Sequence, residues 1–228
     1  MPAPLSIVIP TLNAAPHLGP TLGALGEALT EGLIAEVILS DGGSEDDIAT
    51  IAEATGATLV TGPPGRGGQI ARGCAAAKGD WLLILHADSA PAPGWAAATR
   101  AHMNAHPGCA GYFDLRFDAS GTMARVTAAW ANRRARLGLP YGDQGLLIRG
   151  ALYKSVGGTP DIPLMEDVAL ARALGRARLR PIGHMIVTSA KRYTHDGWLR
   201  RGARNLSTLA LYFAGISPER LAARYNRR

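Results

Sequence analysis

The sequence predicts an α/β fold with a mostly parallel sheet, flanking helices and a C-terminal helical tail. Over the first ninety residues, short apolar runs alternate with alanine-rich segments of helical length, which is the pattern of consecutive βαβ units. The runs are apolar throughout, as is typical of strands covered by helices on both faces. With 228 residues and 47% apolar side chains, the chain can bury one substantial core.

The elements of the first half follow directly from this alternation. Strands are predicted at Leu5–Ile9, Glu36–Leu39, Thr58–Thr61 and Trp81–His86, and helices at residues 16–31, 45–55, 66–78 and 93–105. Ser44 and Asp47 have the spacing of a capping box, which predicts that the second helix begins there.

The regular alternation of strands and helices ends near residue 107. Tyr112–Phe117 alternates between apolar and polar residues, which predicts a half-exposed antiparallel strand. The later elements are predicted as a helix over 121–137, a strand over Gln144–Arg149, a helix from Glu166 to Gly175 and a strand over Arg178–Ser189.

The last part of the chain is basic. Residues 191–228 hold nine Lys or Arg and two Asp or Glu. A helix is predicted over 198–213, with an apolar stripe at Leu199, Ala203, Leu206, Ala210 and Phe213, and a short helix is predicted after Pro218. We therefore expect a main domain over 1–195 and a basic amphipathic tail over 196–228 packed on it. The tail either covers the sheet edge or a substrate cleft, or lies on an anionic membrane with Arg200, Arg201 and Arg204 toward the headgroups.

Composition narrows the class of protein. Two cysteines, Cys74 and Cys109, do not make a disulfide framework. The N-terminus lacks the basic and apolar segments of a secretory leader, and no apolar run approaches the ~20 residues that a bilayer requires. We expect a cytoplasmic protein, at most peripheral to the inner membrane surface, without a nucleic-acid partner.

The candidate site lies beyond the carboxyl ends of the strands, where open parallel sheets bind ligands. Asp41 ends the second strand before two glycines. Its carboxylate suits a ribose hydroxyl or a base N–H, and Gly42 lets a ligand approach the backbone. The alternative is an ordinary Asp-Gly turn.

Three further strand ends carry polar residues. Pro10, Thr11 and Asn13 follow the first strand, Arg66 and Gln69 lie in a glycine-rich loop after the third, and His86 and Asp88 follow the fourth. A carboxylate that ends a buried strand needs a partner, and a divalent cation shared with donor phosphates would supply it. A structural Asp that caps the next turn is the alternative for Asp88.

The second half contributes acids, an amide and cations. Glu166 and Asp167 are predicted at a helix start, where they either complement the dipole or take a proton from a hydroxyl. Other candidates are Asp143 and Gln144 for sugar hydroxyls, and Lys191 and Arg192 for a diphosphate. The chain has no Walker A loop, no dinucleotide fingerprint after the first strand, no hydrolase nucleophile elbow and no histidine pair with metal spacing.

Four segments together resemble the family 2 glycosyltransferases. They are Ser6–Asn13, Ile38–Ser44, Gly79–Asp88 and Met165–Asp167, in the family's order and with similar spacing. The segments Gly138–Gln144 and Pro160–Asp167 resemble one bacterial subgroup linked to arsenosugar-type biosynthesis.

The resemblance implies a GT-A, Rossmann-like fold and transfer of sugar from a nucleotide diphosphate donor, most commonly a UDP-sugar. Pro10, Asp41 and Arg66 would line the nucleoside pocket. Asp88 matches the metal-binding acid of the family's Asp-x-Asp motif, whose first acid is His86 here, and Mg²⁺ or Mn²⁺ is the implied cofactor. Asp167 matches the catalytic base of inverting members.

Three functions remain open from the residues. The favoured one is an inverting, metal-assisted transfer to a small or lipid-linked hydroxyl acceptor, with Asp167, or else Glu166, as the base. A sugar nucleotidyltransferase would carry a basic glycine-rich loop after the first strand, which Pro10–Asn13 is not. A non-catalytic module that binds nucleotide sugar is the third.

Overall fold

A computed structural model describes residues 3–226 of the chain. Its strands are β1 Leu5–Thr11, β2 Ile34–Asp41, β3 Thr58–Thr61, β4 Trp81–Ile84, β5 Ser89–Pro91, β6 Ala110–Phe117, β7 Leu146–Arg149 and β8 Leu179–Thr188. Its helices are α1 Ala15–Ala24, α2 Gly26–Thr30, α3 Ile48–Thr55, α4 Arg66–Ala76, α5 Trp95–Ala105, α6 Thr122–Arg136, α7 Gly150–Ser155, α8 Glu166–Leu174, α9 Lys191–Asp196, α10 Trp198–Phe213 and α11 Pro218–Asn226.

The eight strands form one sheet in the order β3-β2-β1-β4-β7-β6-β8-β5. The pairs among β3, β2, β1 and β4 are parallel, which confirms the βαβ units predicted for the first half. β7 runs antiparallel to both β4 and β6, whereas β6 is parallel to β8. The strand predicted over Tyr112–Phe117 is present, but the antiparallel pairing predicted for it is wrong, because these residues pair with the parallel strand β8 and the antiparallel contact with β7 lies at Gly111.

Both faces of the sheet are covered, as the continuous apolar strands predicted. Ile7, Leu39 and Leu83 belong to a core on one face, with side chains from α1, α3 and α5. Val8, Leu82 and Ile148 belong to a second core on the other face, with side chains from α4, α7 and α8. The parallel strands thus sit at the centre of two helical layers, and their carboxyl ends open at one edge.

Some local predictions are wrong. The helix predicted over 16–31 is divided at Leu25, beside Gly26, a weak helix former. The predicted capping box does not form, because α3 begins at Ile48 and the Ser44 hydroxyl bonds to Asp41 instead. Ser89–Pro91, read as a turn, is a short edge strand, a position that tolerates proline.

The predicted apolar stripe on α10 does not face the protein. Leu199, Leu206 and Phe213 are 77%, 52% and 50% exposed. The buried positions of α10 are Thr208 and Leu209. Within residues 3–226, no helix is both long and apolar enough to cross a bilayer.

Candidate active site

A cleft of about 640 Å³ opens at the carboxyl edge of β1 and β4. Polar side chains from distant parts of the chain line it. The predicted residues among them are Pro10, Asn13, Arg66, Gln69, His86, Asp88, Asp143, Glu166, Asp167 and Arg192. The cleft therefore brings together ten of the residues that the sequence singled out.

Asp41 is buried beneath the cleft rather than lining it. Its carboxylate accepts hydrogen bonds from the Thr11 hydroxyl at 3.0 Å and from the backbone N–H groups of Gly43 and Ser44 at 2.8 Å each. Burial raises the pKa of Asp41, but these hydrogen bonds outweigh it and hold the pKa below its ordinary value. Asp41 is thus an ionised group that shapes the loop after β2.

Gln69 joins the ends of the first two strands to the glycine-rich loop. Its side-chain amide donates to the carbonyl oxygens of Thr11 at 2.6 Å and Ser40 at 3.1 Å. Its carbonyl oxygen accepts from the N–H of Gly65 at 3.2 Å. These bonds use the polar atoms of the Gln69 side chain internally and hold Gly65, directly before α4, so that Arg66 at the start of this helix lies at the cleft.

His86 and Asp88 follow β4 and present contrasting groups. Burial, together with the nearby charges of Arg66 and Arg192, holds the pKa of His86 well below its usual value, so its imidazole is neutral at pH 7. Within residues 3–226 the Asp88 carboxylate has no hydrogen-bond donor, while its backbone oxygen accepts from Ser189 at 3.2 Å. Asp88 thus offers free carboxylate oxygens to a ligand in the cleft.

The start of α8 delivers two acids with different surroundings. Met165, which precedes the helix, adopts φ +69°, a left-handed conformation that is unusual for a side chain of this size. Glu166 is 2% exposed and pairs with Arg66 at 3.3 Å. Burial, and then the neighbouring Asp167, raises the pKa of Glu166, while Arg66 opposes the shift.

Asp167 is half-buried and faces the cleft. One carboxylate oxygen accepts from the N–H of Gly142 at 2.9 Å, and the other accepts from the N–H of Val168 at 2.7 Å. These bonds fix its orientation but leave lone pairs toward the cleft. Asp167 is therefore an oriented acceptor of hydrogen bonds or of a proton.

Asp143 lies in the loop between α6 and β7. Its Oδ1 atom is buried without a hydrogen-bond partner in the described part of the chain. Burial raises its pKa to about 6, with Asp167 and Asp88 adding to the shift and Arg134 opposing it. The three carboxylates are therefore close enough to repel each other, and a cation among them would relieve that repulsion.

The carboxylates fit a hard divalent cation only in part. Oxygen donors suit Mg²⁺ and Mn²⁺, and a neutral imidazole such as that of His86 can also be a ligand. However, no group of three or more His, Cys, Asp or Glu residues in the described ranges could hold a metal. A cation would therefore need additional ligands, and the phosphates of a donor are the kind that Mg²⁺ sites use.

The remaining predicted residues do not line the cleft. Gln144 is fully buried, and its amide donates to the Phe113 carbonyl at 3.1 Å while its oxygen accepts from Tyr141 at 3.3 Å. It holds the 141–145 loop rather than presenting its amide to the cleft. Thr11 and Gly42 are buried in the strand ends, and Lys191 is exposed outside the cleft.

A second wall of the cleft comes from α9, α10 and α11, and sequence reasoning did not identify the residues that form it. Its residues are Tyr193, Arg201, Asn205, Thr208 and Tyr225. Arg201 pairs with Asp196 at 2.8 Å and donates to the Tyr225 hydroxyl at 3.2 Å, and Asn205 bonds both Tyr193 and Tyr225. The available signal was the spacing of Arg201, Asn205 and Thr208, four and three apart, which marks one polar helix face.

One arginine of the tail is placed differently from the membrane interpretation. Arg201, expected to reach membrane headgroups in that interpretation, has a side chain that is only 11% exposed and is turned into the cleft wall. Arg200, expected beside it, is exposed. The geometry therefore excludes Arg201 from a headgroup contact and leaves both interpretations of the tail as predictions.

Several known proteins resemble this chain. Glucosyl-3-phosphoglycerate synthase of Mycolicibacterium paratuberculosis is 31% identical over 93 residues, which cover 37% of this chain and 28% of the relative. A crystal structure of S. aureus TarS matches with a TM-score of 0.63 at 17% identity, over 82% of this chain and 36% of that one.

A third relative carries ligands. The structure of glucosyl-3-phosphoglycerate synthase from Mycobacterium tuberculosis, in complex with Mn²⁺, UDP and glucosyl-3-phosphoglycerate, matches with a TM-score of 0.58. It is 22% identical, over 82% of this chain and 70% of that one. At these identities the solved structures establish the fold alone, and this chain spans only part of each relative.

The family assignment rests on a longer match. The model of glycosyl transferase family 2 matches residues 6–153, which contain β1 to β4, the aspartates Asp41 and Asp88, and the loop with Asp143. Since that match covers well over half of the chain, the protein belongs to glycosyl transferase family 2.

Proposed function

We propose that the protein is an inverting glycosyltransferase that moves a sugar from a nucleotide diphosphate donor to a hydroxyl acceptor. The observation that carries the proposal is the shared cleft of Asp88 and Asp167, with Arg66 and Arg192 on its rim. A free carboxylate, an oriented carboxylate and two cations in one cleft match the needs of a reaction in which a diphosphate departs.

The donor is proposed to bind over the ends of β1 and β4. Pro10 and Asn13 would contact the nucleoside, with Asp41 acting indirectly by holding the loop after β2. Arg66 and Arg192 would bind the diphosphate oxygens. A UDP-sugar is the favoured donor, because the similar structures were solved with UDP and with UDP-GlcNAc or UDP-glucose.

A divalent cation, Mg²⁺ or Mn²⁺, when bound between Asp88 and the donor phosphates, would supply positive charge beside the leaving group. Within the described part of the chain, the buried Oδ1 atom of Asp143 has no hydrogen-bond partner and the Asp88 carboxylate has no donor, which supports this proposal. The Mn²⁺ in the mycobacterial structure agrees with it. His86 would contribute a neutral nitrogen near the same position.

Asp167 is the proposed base and Glu166 its supporting neighbour. Glu166 is enclosed and already paired with Arg66, so its carboxylate is poorly placed to meet an acceptor. Asp167 faces the cleft, and the Gly142 N–H fixes its orientation. Asp167 would accept the proton of the acceptor hydroxyl as that oxygen bonds to the anomeric carbon. The bond from this carbon to the phosphate oxygen breaks, and the nucleoside diphosphate leaves with its electron pair.

The acceptor is proposed to lie against the wall formed by α10 and α11. Tyr193, Asn205 and Tyr225 offer hydroxyl and amide groups that suit a polyhydroxylated molecule. Both a small acceptor and the head of a lipid-linked one fit this chemistry. Membership of the subgroup linked to arsenosugar-type biosynthesis would favour a small acceptor.

The substitution Asp167→Asn tests the base. Asparagine keeps the shape and can still accept from Gly142, although its NH2 group cannot accept from Val168, and it cannot take a proton, so we expect turnover to fall by about 10²–10⁴-fold. Donor binding should be unchanged by calorimetry. The matched control is Glu53→Gln, an exposed carboxylate on α3, which should keep full activity. Wild-type turnover in the Asp167→Asn protein would overturn the assignment.

The donor is tested by thermal shift with UDP, GDP and dTDP, each with and without Mn²⁺. A ligand at a hundred times its Kd stabilises the folded state by about 2.7 kcal/mol. We expect UDP with Mn²⁺ to raise the Tm most, and Asp88→Asn to remove the part of the shift that depends on Mn²⁺. An equal shift from all three nucleotides, with or without metal, would refute both the base preference and the cation site.

The two other functions have separate readouts. A nucleotidyltransferase would release pyrophosphate from a nucleoside triphosphate and a sugar phosphate, and a binding module would bind UDP without ever consuming a UDP-sugar. We expect UDP release from the sugar nucleotide in the presence of Mn²⁺ and no pyrophosphate from the first mixture.

A further inference from the structure

Large apolar side chains are exposed on one part of the molecule. Within residues 3–226 ten large apolar residues are exposed, and seven of them lie on α6, at its C-terminal end or on α10. On α6 they are Met123, Val126 and Trp130, with Leu137 at the helix end, and on α10 they are Leu199, Leu206 and Phe213. Such a concentration marks an interaction surface, whereas single exposed apolar residues are ordinary.

The two sets lie on neighbouring helices. α6 turns Ala124, Ala128 and Ala131 inward, so the exposed residues occupy its outer side. On α10 the three exposed apolar residues are seven apart and form one line along the helix. The helices pack against each other, and Trp198 at the start of α10 packs on the alanines of α6. We name this surface the α6–α10 face.

The charge of the α6–α10 face has a single sign. Neither helix contains an acidic residue, and of their seven arginines Arg134 and Arg201 are turned inward and Arg136 is paired with Asp114. Arg125, Arg133 and Arg200 are exposed beside the apolar residues. Bulky apolar side chains among basic ones are typical of helices that lie in the interface of an anionic membrane.

We propose that the α6–α10 face docks on an anionic lipid surface. A second copy of the chain is a poorer occupant, because a two-fold interface would set the arginines of one face against those of the other. Lipid headgroups supply the negative charge that the face lacks, and the acyl boundary takes up Trp130, Leu199 and Leu206. The opposite side of α10 lines the cleft, so docking sets the cleft beside the lipid surface.

Flotation of the full chain with vesicles tests the proposal. Vesicles of phosphatidylcholine alone are compared with vesicles that also contain phosphatidylglycerol, at low and high salt. We expect flotation with the anionic vesicles only, weakened by salt. Fluorescence with brominated lipids adds a depth measurement, because Trp130 is exposed, Trp198 is half-buried, and Trp81 and Trp95 are buried. We expect quenching that is reduced to a minor part in Trp130→Ser.

Matched pairs of variants distinguish binding through the α6–α10 face from binding that any exposed residue of the same type would contribute. Leu199→Ser combined with Leu206→Ser should reduce binding by more than about tenfold, whereas Leu29→Ser, an equally exposed leucine on α2, should not change it. Arg133→Gln and Arg200→Gln should each reduce binding by about fivefold. Arg178→Gln, exposed elsewhere, should have no effect. Consumption of the sugar nucleotide and circular dichroism confirm that each variant is folded.

Three outcomes would overturn the proposal. The first is the absence of flotation with anionic vesicles at low salt. The second is flotation that Leu199→Ser with Leu206→Ser does not weaken. The third is a dimer in sedimentation that those substitutions convert to monomer, since the face would then be a contact between copies. Because binding is read without turnover, failure here is distinct from failure of the proposed function.

Discussion

At the scale of single residues, the two adjacent acids at the start of α8 differ because one is enclosed and the other is not. Glu166 is held by Arg66, whose own side chain is 42% exposed. Solvent therefore screens the charge of Arg66 but not that of Glu166. The sequence alone could not show which of these acids is enclosed, because the surroundings of adjacent helix positions depend on how the neighbouring loops pack.

A double substitution tests the Arg66–Glu166 pair. Arg66→Ala leaves the buried carboxylate unpaired, and we expect a loss of about 1–2 kcal/mol in the free energy of unfolding. Adding Glu166→Gln removes that charge and should recover part of the loss. Urea unfolding of the single and double variants measures this, and strictly additive losses would contradict the pairing.

His102 gives a residue-scale prediction away from the cleft. It is 4% exposed on α5, and burial lowers its pKa below the ordinary value of 6.5. Below pH 6.5 the unfolded chain therefore binds more protons than the folded one, so stability falls as the pH falls. We expect His102→Gln to reduce the difference in Tm between pH 7.5 and pH 5.5. Asn104→Ser, an exposed substitution on the same helix that involves no titratable group, should leave that difference as it is.

At the scale of elements, the position of α8 depends on the left-handed backbone of Met165. The same side chain is 8% exposed and packs with Val168 and Leu209, so strain and burial oppose each other. Strain at such a residue costs about 1–2 kcal/mol, and burial of a methionine contributes about 1.5–3 kcal/mol. Burial is therefore the larger effect.

Two substitutions at Met165 separate these effects. Met165→Ala loses the burial and keeps the strain, whereas Met165→Gly loses both, so both variants should be less stable than the wild type. Glycine should be the milder change, by about 1 kcal/mol. Denaturant unfolding gives the comparison, and a glycine variant that is less stable than the alanine variant would show that the left-handed conformation costs little.

Element prediction was most accurate where one segment contains its own signal. The bounds of α10 and of β3 were predicted to the residue, since a helical period and a short apolar run are local properties. The orientation of α10 was left open between the protein and a membrane surface, because a helical period alone does not say what an apolar stripe faces. The inner face instead carries Thr208 together with Arg201 and Asn205, and the partners of Arg201 and Asn205 come from other helices. Such pairings are invisible in a single segment.

At the scale of the whole molecule, the floor of the cleft was predictable and its second wall was not. Parallel strands bring their carboxyl ends to one edge, so Asn13, Arg66 and Asp88 could be placed together from topology alone. Gln144 and Asp41 were expected at the ligand, yet their polar atoms are used by the protein backbone. A polar residue after a strand either binds a ligand or holds the backbone of a loop, and which of the two it does depends on how the loops pack.

The cleft is built from segments far apart in the sequence, so its two sides can change independently during evolution. One side comes from the strand ends before residue 90, and the other from helices more than one hundred residues later. Changes in the helices at Asn205 or Tyr225 leave the strand ends untouched, so under the proposed function an altered choice of acceptor does not require the donor contacts to be rebuilt. A chimaera that exchanges residues 198–226 with those of a relative keeps Arg192, and it would inherit the relative's acceptor while retaining its own nucleotide.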